Sequence, residues 1–475
     1  MPCFVVAFIL FELLAPLRAQ TSVAGLDQAR ELLDGERFSE AGEAAARLLE
    51  ASPKSGAARA FSGEVHFREG EIPAAEDDFR KAIQLEPKTA RAWWGMSKVF
   101  DCSSLHGVAR TYLTRAHRLG PEDPDIYRDY VDNVLQGPEL IAVLERSLTA
   151  AQGNGADTLR QRIDTEKKLV GKQLRRLVTP YEAQEIPMVQ LRNGVRNLRA
   201  FGLMVTINGS KPLKLLLDTG AGGITLREKA AGRVNLVRLG DTMIGGIGDQ
   251  GEVSGYAALA GRVRIGPVEF ADLIVKVGDT RVLADEDGLI GADVFAQFLM
   301  TLDFTSSTLR LAPLPKHDTG NEGEPSDRYI AAEMRHFTPV YRFGHLLLIP
   351  ARLGDSSPML FLIDTGAEIS AISQRAVADI TSVRRDSRVR VQGLSGKVAQ
   401  GLTADQLWLQ FAGFRQRNLD MITFNLDRIS RRTGTEISGI LGFSVLVLFD
   451  LTIDYRDGLV NFDYRLKFPE KKLHR

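Results

Sequence analysis

The chain carries one short pattern twice, and this repetition constrains its fold more than any other feature. Residues 215–221 read LLLDTGA, and residues 361–367 read FLIDTGA. Each apolar run is typical of a strand that is buried on both faces, and the glycine after the aspartate predicts a turn. Both copies therefore predict a buried strand that places one carboxylate, Asp218 or Asp364, in a glycine-containing turn.

The surroundings of the two copies repeat as well. Gly-rich segments that contain Gly246 and Gly393 follow the two aspartates at the same distance to within one residue. Apolar-apolar-Gly elements then end at Gly291 and Gly442, and a further strand-borne aspartate lies equally far beyond each of them. The same order at nearly the same spacing predicts one structural unit that is used twice.

In these motifs the sequence resembles the retropepsin-like aspartic proteases over about residues 183–468. Those enzymes carry Asp-Thr-Gly-Ala after a hydrophobic strand, a Gly-rich flap hairpin, and a late apolar-apolar-Gly strand beside the catalytic loop. The resemblance implies all-β acid-protease barrels, with lobe 1 at 183–315, a linker at 316–327 and lobe 2 at 328–468. Having both lobes in one chain is similar to the pepsin arrangement.

The resemblance also implies roles for single residues. Asp218 and Asp364 would be the catalytic carboxylates of an aspartic endopeptidase, a hydrolase of peptide bonds. The other implied residues support the active-site loops (Thr219, Gly220, Thr365 and Gly366), form the flap over the substrate (Gly245, Gly246, Gly248, Gly393 and Gly396), or are structural glycines beside the catalytic loops (Gly291 and Gly442).

Hydrolysis by two carboxylates needs one of them ionised and the other protonated. If the lobes meet about a pseudo-twofold axis, Asp218 and Asp364 meet as well, and like charges so close share one proton. Which aspartate holds it is open at this point. Ala221 and Ala367 offer no hydroxyl where pepsin-like enzymes usually have Ser or Thr, so we expect raised pKa values and activity at mildly acidic to near-neutral pH.

Other reactive patterns are weak in this sequence. Residues 246–251 match the dinucleotide-binding G-x-G-x-x-G pattern, but the strand-like residues 252–257 follow where that motif needs a helix, which favours a flap hairpin. The seven histidines form no H-E-x-x-H motif, and no G-x-S-x-G motif occurs. Asp303 and Asp454, the aspartates that recur after the late strands, are interpreted as structural hydrogen-bonding groups. We expect no metal and no cofactor.

The composition limits the classes of molecule that the protein is expected to bind. The 60 basic and 60 acidic side chains balance, so nothing favours a nucleic acid or an anionic membrane as a partner. The partner expected instead is a peptide or protein substrate. The chain has two cysteines, Cys3 and Cys102, and Cys3 lies in an N-terminal apolar stretch, so no disulfide is expected in the mature chain.

Residues 1–20 have the pattern of a secretory signal peptide, with an apolar run through 4–15 and the small residue Ala19 near its end. The alternative is an uncleaved membrane anchor, although the run is shorter than the roughly 20 residues that a span needs. No later segment is apolar enough to span. The pattern favours an exported protein, periplasmic or secreted, in a bacterial setting.

Residues 21–124 repeat with a period of 34, since Pro53, Pro87 and Pro121 close similar phrases. This resembles tetratricopeptide (TPR) repeats, a solenoid of stacked helix pairs. Two interpretations have equal weight: the solenoid docks a peptide or a protein partner, or it is a spacer or a support that packs on the catalytic part. Of Trp93 and Trp94, one is expected in the core. Residues 125–182 are predicted to extend the helical region, with a long helix over 157–178.

The favoured function has rivals from other classes. The same fold could act as a catalytically silent clamp for extended peptides, or the chain could serve mainly as a TPR scaffold in the cell envelope. Both intact Asp-Thr-Gly triplets favour catalysis. The sequence leaves open whether the lobes pair within one chain or between two.

Overall fold

The computed structural model describes residues 25–194, 197–245, 253–278, 285–317, 328–377, 380, 383–385, 392–393, 396–397, 402–405, 407–418 and 421–465. The leader predicted at 1–20, the glycines 246 and 248 of the predicted flap, and most of the linker predicted at 316–327 lie outside these residues.

The described chain begins with nine helices. They are α1 (Leu26–Asp34), α2 (Phe38–Ala51), α3 (Gly56–Arg68), α4 (Ile72–Leu85), α5 (Ala90–Cys102), α6 (His106–Leu119), α7 (Pro124–Asn133), α8 (Gly137–Ala150) and α9 (Gly153–Leu169). Helices α2, α4 and α6 begin at positions separated by the predicted period of 34 residues. Among the described residues, none of the helices is long and apolar enough to cross a membrane.

Small residues let these helices pack closely. The ring of Phe79 in α4 fills the space beside Gly63 in α3 and Gly95 in α5, where an added Cβ would come within 2.7 and 2.2 Å of it. Trp93 and Trp94 are both buried, and their indole N–H groups donate to the carbonyl of Pro87 and the carboxylate of Asp129. The helix pairs fit the repeat pattern, and their assignment as tetratricopeptide repeats stays a prediction.

The prediction of a helix over 157–178 is wrong at its end. Helix α9 ends at Leu169, and a two-residue strand β1 (Arg176–Leu177) follows. The left-handed φ angles of Gly171 (+76°) and Arg175 (+55°) break the helix. The Arg175 guanidinium donates to the Asp293 carbonyl at 2.8 Å. This segment is therefore held by lobe 1.

Lobe 1 carries the first copy of the repeated unit. Its elements are β2 (Gln184–Pro187), β3 (Val189–Asn193), β4 (Asn197–Ile207), β5 (Leu213–Asp218), β6 (Ile224–Leu226), α10 (Glu228–Ala231), β7 (Val237–Ile244), β8 (Val253–Ile265), β9 (Val268–Gly278), β10 (Gly288–Gly291), β11 (Phe298–Asp303) and β12 (Thr308–Pro313). The predicted hairpin before Asp218 is confirmed, because β4 and β5 pair antiparallel and Asn208 and Gly209 have φ angles of +48° and +75°. Strand β5 lies between β4 and the parallel strand β10 in a nine-stranded sheet.

Lobe 2 repeats this arrangement. Its elements are β13 (Thr338–Pro339), β14 (Tyr341–Phe343), β15 (Leu346–Leu353), β16 (Met359–Ile363), β17 (Ala371–Ser373), α11 (Gln374–Val377), β18 (Val383–Arg385), β19 (Gln392–Gly393), β20 (Gly396–Lys397), β21 (Leu402–Ala404), β22 (Leu407–Phe411), β23 (Phe414–Asn418), β24 (Met421–Phe424), α12 (Asp427–Thr433), β25 (Gly439–Leu441), α13 (Phe443–Leu446), β26 (Phe449–Asp454) and β27 (Leu459–Tyr464). Strand β16 lies between the antiparallel strand β15 and the parallel strand β25, as β5 does between β4 and β10. One unit is thus used twice.

A six-stranded sheet joins the lobes within this chain, in the order β13-β27-β26-β11-β12-β2. Its central pair is β11 of lobe 1 and β26 of lobe 2, with Thr301 opposite Thr452 and their hydroxyls 3.0 Å apart. Asp303 and Asp454 end these two strands, and each accepts a backbone N–H three residues on, from Ser306 and Asp457. Both aspartates thus make the structural hydrogen bonds expected of them.

The helical region and lobe 2 share a hydrophobic core. Phe67, Phe79 and Met96 of the helices belong to one buried cluster with Leu360 and Leu362 of β16. Hydrogen bonds seal this junction, since the Glu436 N–H and the Thr435 hydroxyl donate to the carbonyls at positions 68 and 67 at 2.9 and 2.6 Å. Helices therefore back the strand that leads to Asp364, as the support interpretation predicts.

We expect Met96→Ala in α5 to destabilise the helical region and lobe 2 together. Met96 is 2% exposed, and truncation of such a side chain costs about 2–5 kcal/mol. Urea unfolding followed by helix circular dichroism and by hydrogen exchange of β16 checks this. Leu85→Ala in α4, at a side chain that is 43% exposed, is the matched control. Retention of β16 protection after the helices unfold would contradict a shared core.

Asp454 should make stability depend on pH. Burial raises its pKa to about 6, so the stability that its protonated form provides is complete below about pH 4 and is lost as the pH rises through 6. We expect the unfolding free energy of Asp454→Asn, relative to wild type, to rise between pH 4 and 8 by on the order of 3 kcal/mol.

The pseudo-symmetric Asp303→Asn variant is the control. Asp303 forms an ion pair with Arg310 and its pKa is lowered, with hydrogen bonds from Ser306 and the Arg310 charge outweighing burial. Its stability contribution is present above its unfolded pKa and is lost at lower pH, so its variant should differ from wild type by a constant amount between pH 6 and 8. A flat profile for Asp454→Asn would overturn the prediction.

Candidate active site

The two Asp-Thr-Gly loops meet at the junction of the lobes, and hydrogen bonds of two threonines join them. The Thr219 N–H donates to Thr365 Oγ1 at 3.1 Å, and the Thr365 N–H donates to Thr219 Oγ1 at 2.9 Å. Each hydroxyl also donates to the other lobe's strand, to the Ile363 and Leu217 carbonyls at 2.8 and 3.0 Å. Both threonines are almost fully buried. The loops are therefore fixed relative to each other.

This joining brings Asp218 and Asp364 together. A Cβ added at Gly220 would lie 2.8 Å from Asp364 Oδ2, and one added at Gly366 would lie 2.5 Å from Asp218 Oδ2. The same glycines donate their N–H groups to the aspartate of their own loop, at 2.7 Å for Asp218 Oδ1 and 2.8 Å for Asp364 Oδ1. Only glycine leaves each carboxylate room beside the opposite loop.

Gly291 and Gly442 lie behind the loops, at the ends of β10 and β25. Gly291 is opposite Asp218 in the parallel pair, and a Cβ there would lie 2.4 Å from the Ala221 carbonyl oxygen. A Cβ at Gly442 would lie 2.4 Å from the backbone carbonyl of Ile369. These close approaches fit the expected structural glycines. They also explain why the apolar-apolar-Gly element recurs.

The two carboxylates are 8% and 7% exposed, and their protonation is linked. Burial, and then the Asp364 charge, raise the pKa of Asp218 well above its usual range. Burial also raises the pKa of Asp364, but the hydrogen bond from Asp218 and the N–H groups of Ala367 and Gly366 oppose that rise. Backbone N–H groups of both loops oppose the rise, and the pair thus retains one proton that the two carboxylates share.

The predicted flap residues fall partly within the described structure. Gly245 follows β7, which pairs with β8 in a long hairpin, and Gly246 and Gly248 lie outside the described residues. Gly393 and Gly396 pair with each other across β19 and β20. Because β8 begins at Val253, no helix follows the Gly-rich segment, and the dinucleotide-binding alternative is excluded.

Three site residues carry no signal in the sequence. Asp293 follows Gly291, and its Oδ1 accepts the Gly223 N–H at 2.8 Å. His345 forms the turn between β14 and β15 of lobe 2, and a Cβ at Gly222 of lobe 1 would lie 2.6 Å from its Nδ1. Tyr455 is buried, and burial raises its pKa. The sequence shows His345 only as a lone histidine in a hairpin turn, and its contact with the opposite lobe becomes visible only in the tertiary structure.

A family comparison agrees with this geometry. Residues 203–294 and 349–445 match the model described as aspartyl protease, one region in each lobe. An aspartic proteinase structure from Irpex lacteus aligns with 59% of this chain and 97% of its own, at 13% identity and a TM-score of 0.36. No curated protein matches the chain. The two family matches support a two-lobed aspartic protease. Among the described residues, no cluster of His, Cys, Asp or Glu is arranged to hold a metal ion.

Removing one threonine hydroxyl should loosen the junction of the lobes. Thr365→Val keeps the side-chain volume but leaves the Thr219 N–H and the Leu217 carbonyl without their partner, so we expect a loss of about 2–4 kcal/mol in unfolding free energy. Thr365→Ser retains the hydroxyl and should stay within about 1 kcal/mol of wild type. Chemical denaturation of the three proteins checks this. Equal stability of the Val and Ser variants would contradict the role of the hydroxyl.

Proposed function

We propose that the protein is an aspartic endopeptidase, in which Asp218 and Asp364 activate a water molecule. The observation that supports this most is the pair of buried carboxylates held between two loops of the same sequence. A structural ion pair would place a cation beside a buried carboxylate, whereas each of these two has the other as its neighbour. Such an arrangement costs stability, and catalysis is the function that uses it.

The chemistry follows from the shared proton. The ionised aspartate takes a proton from the water as the water oxygen attacks the scissile carbonyl carbon. The protonated aspartate donates its hydrogen bond to the carbonyl oxygen, on which negative charge develops. Collapse of the tetrahedral intermediate breaks the C–N bond, and the proton that was taken from the water passes to the leaving amine. The pair then again holds one proton.

The direction of the pKa shifts supports activity at mildly acidic to near-neutral pH. Both pKa values are raised, so the singly protonated pair persists to higher pH than two ordinary carboxyl groups would allow. Ala221 and Ala367 add no side-chain hydroxyl that would stabilise the charged forms. Activity should fall at higher pH when the pair loses its proton, and at low pH when both members are protonated.

The flap hairpins and the N-terminal stretch have proposed roles as well. The hairpin of β7 and β8 and the pair β19–β20 would carry the flaps that cover an extended peptide, with glycines that permit close backbone approach. The apolar stretch at 1–20 supports export to the periplasm or outside the cell. The silent peptide clamp is the alternative function, and catalysis is what separates the two.

The test is cleavage of a mixed peptide library between pH 3 and 8 by the full-length protein. We expect wild type to cut peptides with a maximum at mildly acidic to near-neutral pH, and Asp218→Asn and Asp364→Asn each to lose at least about a thousandfold in kcat/KM. Asp355→Asn, at an exposed turn between β15 and β16, is the control and should retain activity.

Two outcomes would count against the proposal. If folded wild type cuts nothing across this pH range, the peptidase function falls and the peptide clamp becomes the better hypothesis. If one aspartate variant remains fully active, the two carboxylates do not act as a shared pair. A rate maximum below about pH 3 would contradict the raised pKa values.

A further inference from the structure

A cavity of about 540 Å³ lies between the helical region and lobe 2. One wall comes from helices α3, α5, α6 and α7, and the other from the β14–β15 turn and the end of α12. We call this cavity the junction groove. The proposed peptidase does not by itself require it.

Three cations line the junction groove: Lys98, Arg110 and Arg432. Within the part of the chain that the structure describes, none of them has a carboxylate oxygen within 4.0 Å, and their side chains donate no hydrogen bond. The Lys98 ammonium lies 4.6 Å from the ring centre of Phe67 and 4.4 Å from that of Trp94. Aromatic faces hold this charge in a half-buried place, and its hydrogen-bond donors stay available.

The carboxylates of the groove are already engaged. Asp101 lies 2.8 Å from the imidazole Nδ1 of His106, and Asp129 accepts the indole N–H of Trp94 at 2.7 Å. Burial lowers the pKa of Lys98, and the nearby charge of Asp129 opposes that shift. Arg110 and Arg432 face the same cavity without an ion pair among the described residues. A ligand that brings carboxylates would therefore complete the groove.

His345 lies between the groove and the first catalytic loop. This residue lines the groove, and its ring also packs against Gly222, two residues beyond Gly220 of the first catalytic loop. At the corresponding hairpin of lobe 1, Asn193 at the end of β3 donates to Glu368 beside the second catalytic loop at 3.2 Å. On the lobe 2 side, the helical region therefore adds a groove that reaches the neighbourhood of the catalytic loops.

We propose that the junction groove binds an acidic segment of the substrate polypeptide, on one side of the bond that is cleaved. This inference rests on the proposed function, since it takes the bound segment to be continuous with the peptide in the cleft. Lys98, Arg110 and Arg432 receive its carboxylates, and the chain passes His345 between groove and cleft. The enzyme then selects peptides by charge at a distance from the scissile bond.

Binding to the full-length Asp218→Asn protein tests the proposal without relying on turnover. The probes are fluorescent peptides that share one apolar core and carry a Glu-rich, a Gln-rich or a Lys-rich tail at either end. We expect a Glu-rich tail at one end to lower Kd by at least about tenfold relative to the Gln-rich tail, and the gain to shrink as salt is added. Arg110→Glu/Arg432→Glu should abolish the gain and favour the Lys-rich tail instead.

Arg335→Glu is the matched control, because Arg335 is exposed and does not line the groove. It should leave the ratio of the two Kd values unchanged. The proposal is overturned if the Glu-rich tail gives no gain at either end, if the gain survives the double substitution, or if Arg335→Glu removes it equally. It is also overturned if the Glu-rich tail binds as tightly without the apolar core, since the groove then serves a separate acidic partner.

Failure of the groove proposal and failure of the proposed peptidase function give different results in these experiments. A protein that cuts nothing but prefers the Glu-tailed peptide would keep the groove as part of a peptide clamp. A protein that cuts peptides with no charge preference would keep the peptidase and lose the groove.

Discussion

Asp218 and Asp364 lie buried side by side, although two carboxylates of like charge repel each other. The surrounding structure holds them in this position. If the two loops were free to move, the carboxylates would separate or become exposed to water. Here the strands β5 and β16 lead directly into the loops, and the four hydrogen bonds of Thr219 and Thr365 keep the two loops, and so the two carboxylates, from moving apart. The remaining adjustment is protonation, and one shared proton results. That chemical asymmetry arises inside a nearly symmetric frame of backbone.

The helical region takes part in this constraint from behind. Leu360 and Leu362 of β16 face the core that the helices complete, and the next residues of that strand lead to Asp364. In strand β5 of lobe 1 the residue that corresponds to Leu362 is Leu216, and it packs instead in a small cluster with Leu191 and Ala200 of the same lobe. The support interpretation of the helical region follows from this packing. A role in binding then concerns the groove beside the junction, not the surface that is already buried.

The sequence predicted the repeated part of the fold well, because the determinants there are local. Alternating apolar runs, Asn208-Gly209 and the recurring glycines specify strands and turns within a few residues. The pairing of Asp218 with Asp364 could be inferred from duplication, although contact between them is a property of tertiary structure. The helix predicted to reach 178 ends at Leu169, where Gly171 adopts a left-handed φ angle and is a local stop signal. The later contact of Arg175 with lobe 1 is one that local propensity cannot register.

What the sequence could not provide is the departure from symmetry. His345 lies in the turn between β14 and β15, and Asn193 ends β3 at the corresponding hairpin, yet His345 faces helices and Asn193 faces Glu368 of the opposite lobe. Asp303 and Asp454 end corresponding strands, yet only Asp303 is ion-paired with an arginine on the neighbouring strand β12. Duplication fixes where the carboxylates and loops lie, and each lobe's own neighbours then decide their protonation and access. Because a peptide has two chemically different ends, an enzyme built from two like halves needs such differences to bind it in one direction.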